Sequence, residues 1–156
     1  PDGVVRRDVT SAQEMYEAVQ AELPLAQAGI FSAAVADYRP VAPAAQKIKK
    51  SEDRLTLTLE RTPDILGAVR RVFGWQGFLV GFAAETEHLL SHAREKLERK
   101  GCDLLVANDV AQPGIGFDSL ENEVTILFRH GDSLQLPRMT KASLAAKIIA
   151  LIPAGS

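Results

Sequence analysis

The stretch GIFSAAVADYRP, residues 29–40, decides the fold class. Its first eight residues are a continuous apolar run, the pattern of a strand buried on both faces of a parallel sheet, and FLVGF at 78–82 repeats it. CDLLVAND, residues 102–109, is a further short buried strand with polar residues at its carboxyl end. Helical patterns fill the gaps between these runs. Thr62 as N-cap and Pro63 at the first helical position predict a helix to about Phe73, ended by Gly74. Leu89, Leu90, Ala93 and Leu97 recur at helical spacing in a segment from Thr86 to Lys100 that stops at Gly101. Strands alternating with helices predict an α/β three-layer sandwich with a mostly parallel sheet. Such sheets bind ligands outside the carboxyl ends of their strands. Asp37, Phe82 to Thr86, and Asn108 with Asp109 all lie just past such an end.

The flanking segments complete one domain over residues 1–156, a length that buries a single core. Val4 to Val9 reads as a strand, and Ser11 with Glu14 forms a capping box that opens a helix from about Ala12 to Leu23, before Pro24. In RLTLTLE, residues 54–60, Leu55, Leu57 and Leu59 alternate with Thr56 and Thr58, which predicts a strand with one buried face. GIGFDSLEN, residues 114–122, reads as a loop. EVTILF and SLQLP flank Arg129 to Asp132 as a C-terminal antiparallel hairpin, and a last helix from about Thr140 carries Leu144, Ile148, Ile149 and Ile152.

Eighteen basic and twenty acidic side chains leave a net charge of −2, with no basic stripe for a phosphodiester backbone or an anionic membrane surface. No apolar run approaches a membrane span, no signal-peptide pattern opens the chain, and the one cysteine, Cys102, forms no intrachain disulfide. These features predict a cytoplasmic protein without nucleic-acid or membrane partners.

Several residues are candidates for chemistry. The small side chains at Ser32, Ala33, Ala34 and Ala36 let a ligand approach the backbone or pack under a helix. Asp37 holds a ribose hydroxyl or metal-bound phosphate, or else starts the turn at Tyr38. Lys47 and Lys49 share one face of an extended segment, opposite Ile48, as a polyphosphate site or a solvated edge. Asp64 supplies negative charge to the start of the 62–73 helix and so argues against a phosphate there. Lys96 and Lys100 share a helical face near a C-terminus, where the helix dipole alone favours cations. His88 and His92, at i and i+4, would need a third ligand such as Glu85 or Glu95 to hold a metal, and no HExxH pattern is present. Gly114 and Gly116 form only a GxG with no following helix, and Cys102 reads as a packing residue.

In this order and at these separations, AAVADYRP, KIKK, TPDIL, GFAAET, KLERKGCDLLVANDV and GFDSLENEV closely resemble phosphopantothenoylcysteine synthetase. In bacteria this is usually the C-terminal half of a bifunctional coenzyme A biosynthesis protein. The resemblance covers essentially the whole chain. It implies a Rossmann-like fold and a CTP-dependent ligase acting as a homodimer. The 4'-phosphopantothenate carboxylate attacks the α-phosphate of CTP, giving an acyl-cytidylate and pyrophosphate, and cysteine then displaces CMP. Mg2+ accompanies CTP, a flavin-dependent decarboxylase domain precedes the synthetase in fused proteins, and no protein nucleophile is needed.

Carried over by resemblance, Phe31, Ser32, Ala33 and Asp37 line the nucleotide site, and Lys47 contacts the phosphates and assists turnover. Pro63, Asp64, Ile65 and Leu66 present backbone groups to the cytosine, Phe82 packs near the nucleotide, and Lys96 and Lys100 complete its cationic side. The family begins its synthetase domain with a strand, a Gly/Ser-rich loop and a helix that have no counterpart here. The chain is therefore expected to be truncated at its N-terminus, with weakened nucleotide binding and reduced catalysis. Two other readings remain at this stage. One is a non-catalytic nucleotide-binding or dimerisation module on the same fold. The other is an NAD-binding oxidoreductase domain, disfavoured because no GxGxxG is present.

Overall fold

A computed structural model gives the fold and describes residues 3–42, 46, 48, 54–85, 89–109 and 119–154. Helix α1 (Ala12–Glu22) leads through a 3-10 turn at Leu23–Leu25 into strand β1 (Ala28–Phe31). A short ribbon of β2 (Tyr38–Pro40) and β3 (Leu59–Arg61) precedes helix α2 (Ile65–Arg71). Strand β4 (Phe78–Glu85), helix α3 (Leu89–Lys100) and strand β5 (Leu104–Asp109) follow, and the chain ends with β6 (Glu121–Phe128), β7 (Ser133–Thr140) and helix α4 (Lys141–Ala150).

Five strands form one mixed sheet in the order β1-β4-β5-β6-β7. The β1-β4-β5 part is parallel and runs on into the antiparallel β6-β7 hairpin. Side-chain alternation splits the core in two. Leu79, Ala83, Leu105 and Ala107 meet Val69, Ala93 and Leu97 of α2 and α3 on one face. On the other, Val80, Leu104, Val106 and Ile126 meet Leu144 and Ile148 of α4. Leu79, Val80, Leu104, Leu105 and Val106 are fully buried, each side chain contributing about 2 kcal/mol by leaving water. The result is the expected three-layer α/β sandwich with a Rossmann-like parallel core and a C-terminal hairpin. A Cβ on Gly81 would lie 3.1 Å from Leu66 Cδ2 and 2.9 Å from Leu105 Cδ1. The glycine therefore lets Leu66 of α2 lie close against β4.

The helices form much as read. Gly74 and Gly101 take φ of +65° and +66° just beyond α2 and α3, where only glycine is unstrained. Thr140 caps α4 by accepting from Ser143 N–H. Residues 86–88, the first turn expected of α3, lie outside the described residues.

Five expectations are corrected. Val4 to Val9 is not a strand: it pairs with no strand among the described residues, and Val4 and Val5 stay exposed. The capping box is displaced by one residue. Ser11 Oγ accepts from Glu14 N–H, but the Glu14 carboxylate accepts from Thr10 N–H at 2.8 Å, and this hydrogen bond is the main cause holding the Glu14 carboxyl below its usual range. Strand β1 stops at Phe31 and is not buried on both faces, since Ile30 is 46% exposed at the edge of the described sheet. RLTLTLE contributes strand only from Leu59, and Leu55, Leu57 and Leu59 are exposed because no layer covers them among the described residues. Finally, α2 is capped by Asp64 and not by Thr62, so Pro63 lies outside the helix.

Candidate functional site

Strands β1 and β4, the loop after Phe31 and the start of α2 converge at the carboxyl end of the parallel strands. They enclose a cavity of about 470 Å³, within the range of small-molecule sites. The structure brings Phe31, Ala33, Asp37, Pro63, Asp64, Ile65, Leu66, Phe82, Lys96 and Lys100 together around it. Ser32 lines an adjoining cavity of about 750 Å³ that shares Ala33, Asp37, Phe82 and Lys96 with the first and reaches the apolar face of α4 at Leu144 and Ile148. Lys47 and Lys49 lie outside the described residues, as do His88, Gly114 and Gly116. Ile48 is described and exposed.

Two hydrogen bonds stitch the cavity wall. Thr62 donates through its hydroxyl to the Ala36 carbonyl, and its N–H donates to the Asp37 carbonyl at 3.0 Å. That tertiary demand takes Thr62 away from the helix and leaves the cap to Asp64. Asp64 Oδ1 accepts from Gly67 N–H at 3.0 Å, and Lys100 Nζ lies 2.7 and 2.6 Å from its two oxygens. Arg71 Nη2 adds a further contact at 2.9 Å. Burial pushes the Asp64 carboxyl up, but the hydrogen bonds from Lys100 and Gly67 and the charges of Lys100 and Arg71 outweigh it and hold it below the usual range.

Asp64 thus neutralises Lys100, whose side chain is only 12% exposed. Lys96, by contrast, forms no hydrogen bond or ion pair among the described residues, and the same holds for Arg61, Arg99 and the Asp37 carboxylate. Arg61, Arg99, Tyr38, Thr62 and Met15 also line the cavity. Reading the sequence missed these. The signal available for Arg61 was its position two residues beyond Leu59, on the same ribbon face.

Cys102 is fully buried. Burial, followed by the neighbouring Asp103 charge, pushes its thiol up to about 11, so it stays protonated and is no nucleophile at neutral pH. Among the described residues no group of three or more histidine, cysteine, aspartate or glutamate side chains is placed to hold a metal, and no helix is long and apolar enough to cross a membrane. The site is a mixed cationic cavity walled by small residues and a backbone loop, suited to an anionic, partly aromatic ligand.

The family model for the DNA/pantothenate metabolism flavoprotein C-terminal domain matches residues 1–154. The chain belongs to that family. The chain is 46% identical over 154 residues to the coenzyme A biosynthesis bifunctional protein CoaBC of Vibrio cholerae serotype O1, covering 97% of the chain and 38% of the relative. It is 40% identical over 152 residues to the CoaBC protein of Escherichia coli K12, covering 96% of the chain and 37% of the relative. It also superposes on the crystal structure of the C-terminal domain of a CoaBC protein with a TM-score of 0.76 at 34% identity, covering 96% of this chain and 65% of that one. The domain therefore spans less than two fifths of the length of these curated relatives, and its mixed sheet and flanking helices are those of the solved CoaBC domain.

Proposed function

We propose that this domain is a phosphopantothenate–cysteine ligase of coenzyme A biosynthesis and that the cavity beside α2 is its nucleotide site. The 4'-phosphopantothenate carboxylate attacks the α-phosphorus of CTP. An acyl–phosphate bond forms, the α–β phosphoanhydride breaks, and pyrophosphate leaves. The cysteine amine then attacks the acyl carbon, an amide forms, and CMP leaves with the bonding electron pair while the amine loses a proton to water. The observation that carries this reading is the convergence of Asp37, Pro63 to Leu66, Phe82, Lys96 and Lys100 on one cavity, in a chain 46% identical to a coenzyme A biosynthesis protein.

In this reading Phe31 to Ala33 and Asp37 hold the nucleotide backbone, and the main chain of Pro63 to Leu66 meets the cytosine. Phe82 packs beside the nucleotide. Lys47, Lys96 and Lys100 offset charge on the phosphates, which is where phosphoryl chemistry needs it. Mg2+ enters with the triphosphate. Asp37 fits it as a protein donor, being a carboxylate at the cavity with no partner among the described residues, since this ion takes one or two carboxylates and keeps phosphate oxygens and water. The exposed leucines in and just before β3, Leu55, Leu57 and Leu59, support a homodimer. The curated relatives are bifunctional and more than twice as long as the matched segment, which fits the expected fusion to an N-terminal decarboxylase domain.

Assayed in the full polypeptide with CTP, Mg2+, 4'-phosphopantothenate and cysteine, one pyrophosphate and one CMP are expected per phosphopantothenoylcysteine. Lys47→Ala is expected to lower that rate about 100-fold or more. Unchanged product formation in Lys47→Ala would contradict the role of Lys47. CTP binding without any pyrophosphate release would favour a non-catalytic nucleotide module.

A further inference from the structure

We propose that Arg61 binds the terminal phosphates of the nucleotide, and that it makes the cavity prefer a nucleoside triphosphate to the corresponding monophosphate. This rests on the nucleotide reading above and adds a residue to it. Side chains of the β2–β3 ribbon alternate between its faces. At one register position Glu60 faces Arg39 across the strands, and the two form an ion pair at 2.8 Å. At the next, Tyr38 faces Arg61, and both line the cavity. The ribbon thus neutralises one of its arginines and turns the other, without a hydrogen bond or ion pair among the described residues, toward the cavity. An arginine beside a cavity with no partner among the described residues is suited to bind an anion, because none of those residues competes for its guanidinium.

The backbone that carries Arg61 is held in place. Its neighbour Thr62 is bonded to the carbonyls of Ala36 and Asp37, so the base of the ribbon is tied to the loop that carries Asp37. Arg99 also lines the cavity but stands in the last turn of α3, where the helix dipole favours a cation whether or not a ligand binds. Arg61 ends a strand and has no such field. It is also exposed, so its guanidinium is open to a ligand entering the cavity. With Lys100 neutralised by Asp64, Arg61, Lys96 and Arg99 line the cavity as cations without a partner among the described residues, as Asp37 does as a carboxylate. A guanidinium fork matches two phosphate oxygens at once, which an ammonium does not.

The test is titration of the full polypeptide, unsubstituted and as Arg61→Met and Arg61→Lys, with CTP and with CMP, each with Mg2+, alongside a thermal melt of each protein. Arg61→Met is expected to weaken CTP about tenfold and leave CMP within about twofold, with Arg61→Lys recovering part of the loss. CTP affinity unchanged in Arg61→Met overturns the proposal. So does an equal loss for CTP and CMP, which would mark a structural role in the ribbon. Failure of the unsubstituted full polypeptide to bind CTP overturns both this proposal and the nucleotide reading, whereas CTP binding that ignores Arg61 overturns this proposal alone.

Discussion

Replacing Asp103 by alanine is expected to destabilise the fold by about 3 to 5 kcal/mol, lowering the melting temperature by roughly 10 °C in a domain of this size. The carboxylate sits at the end of the sheet away from the cavity and joins four elements. Its Oδ2 lies 2.6 Å from Arg70 Nη2 and accepts from Leu79 N–H at 2.8 Å, and its Oδ1 accepts from Arg129 Nη1 at 3.2 Å. Arg70 in turn donates to the carbonyls of Gly101 and Trp75, at 3.1 and 2.7 Å, and stacks over the Trp75 ring. Arg70 and Asp103 are 13% and 22% exposed, so alanine would strand a mostly buried guanidinium and orphan the Leu79 N–H. The more exposed Arg129 contributes little of this. Asp103→Asn keeps an acceptor for Leu79 and should lose less. Denaturant unfolding of the two variants checks both statements; a loss under about 1 kcal/mol for alanine would show that the network is not holding the sheet and α2 together.

Lys100→Ala is expected to weaken CTP binding about 100-fold while costing little stability. The ammonium lies 2.6 and 2.7 Å from the two oxygens of Asp64. Its removal takes away one cation and also uncovers a carboxylate beside the triphosphate, and charged hydrogen bonds of about 1.5 to 3 kcal/mol each correspond to tenfold or more in affinity. The α2 cap survives, because Gly67 N–H and Arg71 still reach Asp64. Adding Asp64→Asn to Lys100→Ala removes the exposed charge and keeps a good capping residue, so it should restore about tenfold of the lost affinity. A double-mutant cycle on CTP affinity measures this coupling. Additive effects would mean that Asp64 and Lys100 act on the ligand independently.

The parallel core was legible in the sequence because its pattern is local. FLVGF is apolar on both faces and is central, and Leu89, Ala93 and Leu97 mark the face of α3 that meets the sheet. Gly74 and Gly101 end helices because their backbones need positive φ. What was not legible depends on neighbours. Period-two leucines in RLTLTLE look the same whether or not a layer covers them, and here none does among the described residues. Ile30 belongs to an apolar run, yet it lies on an edge strand. Thr62 and Asp64 are both good caps, and only the distant carbonyls of Ala36 and Asp37 decide between them. The residues carried over by resemblance, Lys47 aside, line the first cavity or, for Ser32, the adjoining one. Resemblance could not supply Arg61, whose significance comes from Arg39 being paired and Arg61 having no partner among the described residues.

The most direct test of the nucleotide site is calorimetric titration of the full polypeptide with CTP and Mg2+, beside an identical titration with ATP. Binding of CTP and not ATP is expected, because the cavity between Asp37, Lys96 and Pro63 to Leu66 would be assembled and selective for cytosine. Equal binding of the two nucleotides, or no binding of CTP, would contradict it.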